Sequence, residues 1–204
     1  MKSCKRIEFI IAAILLLSAH SFGQRATKVR IEMQEIYGPL FVTIAGAEKK
    51  IMDQAQRAWI INDGRVVVYS SREGAGGFEN EGQSLHLYEV QTGKQKLIMS
   101  EYYVVDNVEE VVTSKKKRAL LVAMADGGLG ASYIAVVNPS RGEVFFRRSA
   151  RIIARQGDSV VLGFYKDDDW EELEQGKKVR PYKTRRYNLN SLLLGPVIVN
   201  KRIQ

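Results

Sequence analysis

Six carboxylates fall within eight residues at Asp167, Asp168, Asp169, Glu171, Glu172 and Glu174. Oxygen ligands at that density suit a hard cation such as Ca²⁺, and Asp167, Asp169 and Glu171 are the candidate ligands. Their spacing is not the D-x-D-x-D-G pattern of a defined calcium loop. After Gly176 come Lys177, Lys178, Arg180, Lys183, Arg185 and Arg186. An acidic arm folding back on a basic arm is therefore preferred over a metal site, through cross-strand charge pairs of modest strength. No metal and no cofactor is expected.

The inventory for catalysis is thin. Beyond residue 23 there is one histidine, His86, inside an apolar run, and no cysteine. A Ser–His–Asp triad or a histidine zinc site has little support from that set. Paired acids such as Glu79 or Asp126 with Asp168 suit glycoside chemistry, which makes a secreted carbohydrate-active hydrolase or lyase the runner-up reading. No catalytic residue is assigned. Gly127, Gly128 and Gly130 permit close backbone approach. They are not followed by the Lys-Ser/Thr pair and helix of a phosphate cradle, so tight-turn use is the better account.

The basic arm is interleaved with Tyr182 and Tyr187, and residues 177–204 hold eight basic side chains and no acid. Two readings stand. One is a solvated strand edge protected by charge, which needs no partner and is favoured. The other is a contact surface for an anionic glycan, a lipid headgroup or an acidic protein. Nucleic acid is set aside, because the N-terminus points to export.

That N-terminus has Lys2, Lys5 and Arg6 ahead of the apolar run 7–17, then Ser21 and Gly23 before Gln24. This is the order of a secretory signal peptide, and the run is shorter than the ~20 residues of a membrane span. Residues 1–23 are read as the signal and 24–204 as a single domain, periplasmic or extracellular, with no further transmembrane segment. Removing three bases and one acid takes the net charge from +8 to +6. Cys4 leaves with the signal, so the domain needs no disulfide. Its length suffices to bury a core without staples.

The elements that would position these groups are short strands. Arg118 to Ala125 and Tyr133 to Val137 flank a Gly-rich link, and Glu143 to Phe146 follows the turn at 138–142. Apolar, β-branched runs punctuated by Gly and Pro read as an antiparallel meander. The same grammar recurs upstream and downstream. Marker glycines Gly93, Gly142 and Gly195 stand 49 and 53 residues apart, a spacing within the range of propeller blades. Each unit reads as four strands, a to d. Strands at 29–36, 40–44 and 50–52 either form a partial further unit or complete the last one and close a ring. No amphipathic helix is expected beyond a single turn at 170–174. Trp59, Val67, Leu87, Leu121, Ile134, Val136, Phe145, Val161 and Leu189 are the expected core.

The segment Trp59-Ile60-Ile61-Asn62-Asp63-Gly64-Arg65-Val66-Val67-Val68-Tyr69-Ser70-Ser71 resembles the W-S-P-D-G-K-x-I-x-F-x-S strand pair of repeats in the periplasmic propeller of the Tol system. Ser84 to Gly93 (SLHLYEVQTG) resembles the L-Y-L-x-D-x-x-T-G segment that follows it. The match is good in the first unit, fair in the second and poor in the third. The resemblance implies an all-β, β-propeller-like fold of about three four-stranded repeats plus a partial N-terminal unit. Such patterns specify blade geometry and transfer no activity.

Loops at 72–83, 126–132 and 166–183 occupy one repeat position, between strands b and c. On a rigid scaffold they would share a face. The expectation is an exported, non-catalytic binding or scaffold domain recognising a protein or cell-envelope ligand there. Asp126, Gly128, Trp170, Tyr182 and Arg185 are the candidate contact residues, with Trp170 and Tyr182 as aromatic anchors. A propeller fragment completed by oligomerisation is a third reading. The sequence leaves the oligomeric state open.

Overall fold

The computed structural model describes residues 29–33, 36–72, 83–101, 104–125 and 131–198. Strands form antiparallel sheets that follow one another in chain order. The first sheet has six strands: β1 (Val29–Met33), β2 (Gly38–Ile44), β3 (Ala47–Ile61), β4 (Val66–Ser71), β5 (Gln83–Glu89) and β6 (Gln95–Glu101). The second has β7 (Val104–Val112), β8 (Arg118–Ala125), β9 (Ser132–Asn138) and β10 (Glu143–Ser149). The third has β11 (Arg151–Gln156), β12 (Ser159–Phe164) and β13 (Lys183–Asn188). Helix α1 (Asp167–Glu174) joins β12 to β13, and the single-turn α2 (Leu189–Leu192) follows β13. The all-β repeating architecture expected from the sequence is present.

Strand β8 shows how the layers stack. Successive side chains of a strand point to opposite faces, and both faces of β8 are covered, so its sequence is continuously apolar. Leu120, Val122 and Met124 enter a core with Val66, Val68, Leu85 and Leu87 of the first sheet. Ala119 and Leu121 enter a second core with Val160, Leu162 and Leu189. Strand β4 divides in the same way, sending Val67 and Tyr69 into a third core with Leu40, Val42, Met52 and Ala55. Half of the first sheet therefore lies over the face of β4 and β5 that the second sheet leaves free.

The N-terminal strands are neither a separate unit nor a ring closure among the described residues. β3 runs unbroken from Ala47 to Ile61. Its first half pairs with β2 and its second half with β4, with a register shift between Ala55 and Arg57. No Gly or Pro interrupts it to end the strand. A bulge of that kind bends the strand and increases its twist, which carries its first half out of the plane of β4.

The expected core needs two shifts by one residue. Phe146 is buried where Phe145 was expected, and Val160 and Leu162 are buried where Val161 was expected. In β10 the reason is a register shift between Val144 and Phe146. Strict alternation would put both on one face, whereas the shift sends Val144 to the first core and Phe146 to the second. Trp59 is half-buried against the first core. Beyond α2, Ile198 bridges to Val144 of β10. Before it, Asn188 accepts a hydrogen bond from the Ser191 amide at 3.2 Å and starts α2 as an N-cap.

The 166–183 segment also differs from the expected pair of charged arms. Asp167, Asp168 and Asp169 occupy the first turn of α1, where the helix dipole favours anions. Asp169 accepts from the Lys166 amide at 2.9 Å, completing a capping box. One element of the fold-back survives, a Lys177–Glu172 pair at 3.5 Å.

The hairpin turns of the three sheets are tied together at one end. The Asn62 amide donates to Glu110 Oε2 at 2.8 Å, and Arg118 bridges Glu110 at 2.7 Å and Asp63 at 3.2 Å. Asp158, in the β11–β12 turn, accepts from the Ser114 amide at 2.7 Å, the Ser114 hydroxyl and Asn190 Nδ2 at 2.7 Å. The Ser114 hydroxyl first, and then its amide, hold the Asp158 carboxyl below the usual carboxylate range. The folded state therefore binds this proton less tightly than the unfolded chain. The contribution to stability is complete above an ordinary carboxylate pKa of about 4 and is lost as pH falls through the lower folded value. Asp158→Asn is expected to lower the melting temperature at neutral pH and to flatten its decline under acid, as read in thermal scans across pH.

Candidate binding site

With the β3–β4, β7–β8 and β11–β12 turns at one end, the β4–β5, β8–β9 and β12–β13 connections leave from the other, the loop end. There the core changes character. β4 reads VVVYSS and β5 reads QSLHLYE, so their apolar middles give way to Ser70, Ser71, Gln83 and Ser84, each at most 1% exposed.

The register pairs Tyr69 with His86 and Ser71 with Ser84. The His86 ring lies flat on Tyr69, with centroids 5.0 Å apart and planes 6° apart. Its Nε2 is hydrogen-bonded to Ser71 Oγ at 3.0 Å, and Ser84 donates to Ser100 Oγ at 3.4 Å. From the facing half of the sheet, Gln56 donates to the Tyr37 hydroxyl at 3.2 Å and accepts from Gln83. Gln83 Oε1 accepts from the Val105 amide of the second sheet at 3.0 Å. Arg72 places its guanidinium 3.6 Å from the centroid of the Tyr37 ring. Ser70 Oγ and Arg72 Nε are buried and have no hydrogen-bond partner among the described residues.

The sequence has no match among family models and none among the curated proteins. A solved structure resembles the fold. It is the β-propeller domain of the Trilobed protease from Pyrococcus furiosus, described as having an open velcro topology. The alignment covers 78% of this chain at 13% identity, with a TM-score of 0.45. The chain spans 48% of the length of that solved chain.

Ser71 and His86 share the face of β4 and β5 that carries Tyr69, whereas Ser70 lies on the face of Val68. The loop end therefore offers buried hydroxyls and amides on both faces of the sheet and one cation, Arg72. Ser71 and His86 have the distance of a nucleophile and its base. Ser71 is fully buried and the imidazole is held flat by Tyr69, so the pair is arranged for packing and hydrogen bonding.

Of the residues expected from sequence, Tyr182 and Arg185 are exposed on the third sheet, Tyr182 at 61%. The Tyr182 amide donates to the Phe164 carbonyl at 3.0 Å, which fixes it at the loop end of β12. Trp170 is 3% exposed and packs on Tyr165 at 5.2 Å, with Arg151 over its ring at 5.8 Å. It is a packing residue, not an exposed anchor. Asp126 and Gly128 lie outside the described residues. Asp167 and Glu171 are exposed on α1, Asp169 is its cap, and no group of three metal-ligating side chains occurs among the described residues. The structure does not gather the expected residues into one site, because the second sheet stands between Tyr182 and the Ser71–His86 cluster. Sequence reading missed Tyr37, Gln56, Ser70, Gln83 and Ser84. The available signal was the pair of serines ending β4 facing Gln-Ser at the start of β5.

Proposed function

We propose that the protein is an exported, non-catalytic binding or scaffold domain that recognises a protein or cell-envelope ligand through the loop end of its sheets. The buried polar cluster at the loop end of β4 and β5 carries this reading. A sheet core closes most cheaply with apolar side chains, and burying polar groups is unfavourable unless each is paired. Ser70 Oγ and Arg72 Nε lack a partner among the described residues, so the cluster has hydrogen-bonding capacity to offer. Tyr182, exposed at the same end, adds an aromatic contact of the kind that anchors interfaces. The resemblance of Trp59 to Ser71 to the Tol-system repeats and the signal-like N-terminus support an envelope address. No helix of the described residues is long and apolar enough to cross a membrane.

Two measurements test it. N-terminal sequencing of exported protein should begin at or near Gln24; an intact Met1 on membrane-bound material would defeat the export reading. Separately, Ser70→Ala and Tyr182→Ala are expected to leave the melting temperature nearly unchanged and to deplete the set of partners captured from envelope extract. A folded double variant that captures the same set as the parent would sink the loop-end reading.

A further inference from the structure

At the turn end, opposite the loop end, the first and second sheets part around a cleft of about 230 Å³. Through Asn62, Arg118 and Ser140 it shares its lining with a wider groove of about 720 Å³ that runs beside the segment after α2. Five cations line the two, Arg65, Lys116, Lys117, Arg118 and Arg141, against two carboxylates, Glu89 and Glu143. Arg118 is spent on Glu110 and Asp63. Arg65, Lys116 and Lys117 have no ion pair among the described residues. The groove also has an apolar wall, where Leu194 is 72% exposed and Val197 42%, beside Phe145.

Lys116 is the informative residue. It sits in the β7–β8 turn with φ of 56°, in the left-handed region. The corresponding β11–β12 turn fills that conformation with Gly157, and the β3–β4 turn with Asn62, Asp63 and Gly64. Asn, Asp and Gly enter this region readily, whereas a long side chain does so at a steric cost. A lysine held there, at the mouth of a groove already rich in positive charge, is a departure from local preference of the kind that marks functional surfaces.

We propose that this groove binds an extended acidic segment of a partner protein. Its carboxylates would lie on Arg65, Lys116 and Lys117, and its apolar side chains against Leu194, Val197 and Phe145. The charge imbalance selects an anionic occupant. The apolar wall favours a peptide over a polyanion of sugars or phosphates, which would leave Leu194 and Val197 without a contact. The proposal concerns the end opposite the loop cluster and does not depend on it.

The experiment is fluorescence anisotropy of the full chain with a labelled peptide alternating Glu and Leu. Saturable binding that weakens with added salt is expected. Reversing two partly exposed charges, Lys116→Glu with Lys117→Glu, should weaken it about tenfold. Lys116→Gly should weaken binding while holding or raising the melting temperature, because glycine relieves the backbone; this separates lost recognition from lost folding. The proposal is overturned if the parent fails to bind the peptide, if both variants bind as the parent does, or if a Gln-for-Glu peptide binds equally well. Preferential capture of heparin or of phosphatidylglycerol vesicles over the peptide would overturn it too.

Discussion

Leu121→Ala is expected to lower the unfolding free energy by about 2–5 kcal/mol, the range for truncating a buried leucine. Leu121 is 2% exposed and points into the core between the second and third sheets. Its neighbours there, Ile134, Val136 and Val160, lie on regular strands, whose backbone pairing restricts collapse around the lost methyls. Some of the cavity should therefore persist, which places the loss in the upper half of that range. Leu120→Ala tests the layering itself. Leu120 is fully buried, one residue away, and belongs to the other core, between the first and second sheets. The two losses should be similar in size and nearly additive in the double variant, since the side chains share no packing neighbours. Urea unfolding of the three variants measures this. A loss confined to one of them would show that β8 is covered on one face only.

Trp170→Ala is expected to destabilise by about 3–5 kcal/mol. Read as an exposed loop anchor, the same residue could be truncated with almost no effect on folding. The two readings thus differ by a large share of the stability of an ordinary domain. Burial decides between them, for Trp170 packs on Tyr165 with Arg151 over its ring. The same contact bears on replacing 166–183 by a short turn. Loops tolerate length change when they contribute nothing to a core, but this one carries α1 and its buried indole, so the replacement should also destabilise. A thermal scan of Trp170→Ala that overlays the parent would restore the loop reading.

The strand grammar was legible because it is local. Val, Ile and aromatic runs bounded by Asn-Asp-Gly, Gln-Thr-Gly and Pro-Ser-Arg-Gly specify hairpins wherever they occur. The positive φ of Gly93 and Gly142 follows from those turns alone. The double-sided burial of β8 was equally readable, since an eight-residue run with almost no polar side chain can only be covered on both faces. Tertiary structure decided what local pattern leaves open. Whether Phe145 or Phe146 turns inward depends on one bulge opposite Val136 and Val137, and alternation alone cannot register an extra residue. Whether 50–52 begins a new unit or continues into the next depends on which strands flank each half of β3. α1 forms because Trp170 finds a buried place on the third sheet, and eight residues of low apolar content would not hold a helix by themselves. The polar cluster at the loop end joins Tyr37, Gln56, Ser71, Gln83 and His86 across as many as 49 positions of sequence, and the turn-end groove joins Arg65, Lys116 and Val197 across more. Neither has a sequence signature, because side chains from separate strands meet only after the sheets have stacked, and it is burial of the apolar faces that brings them together.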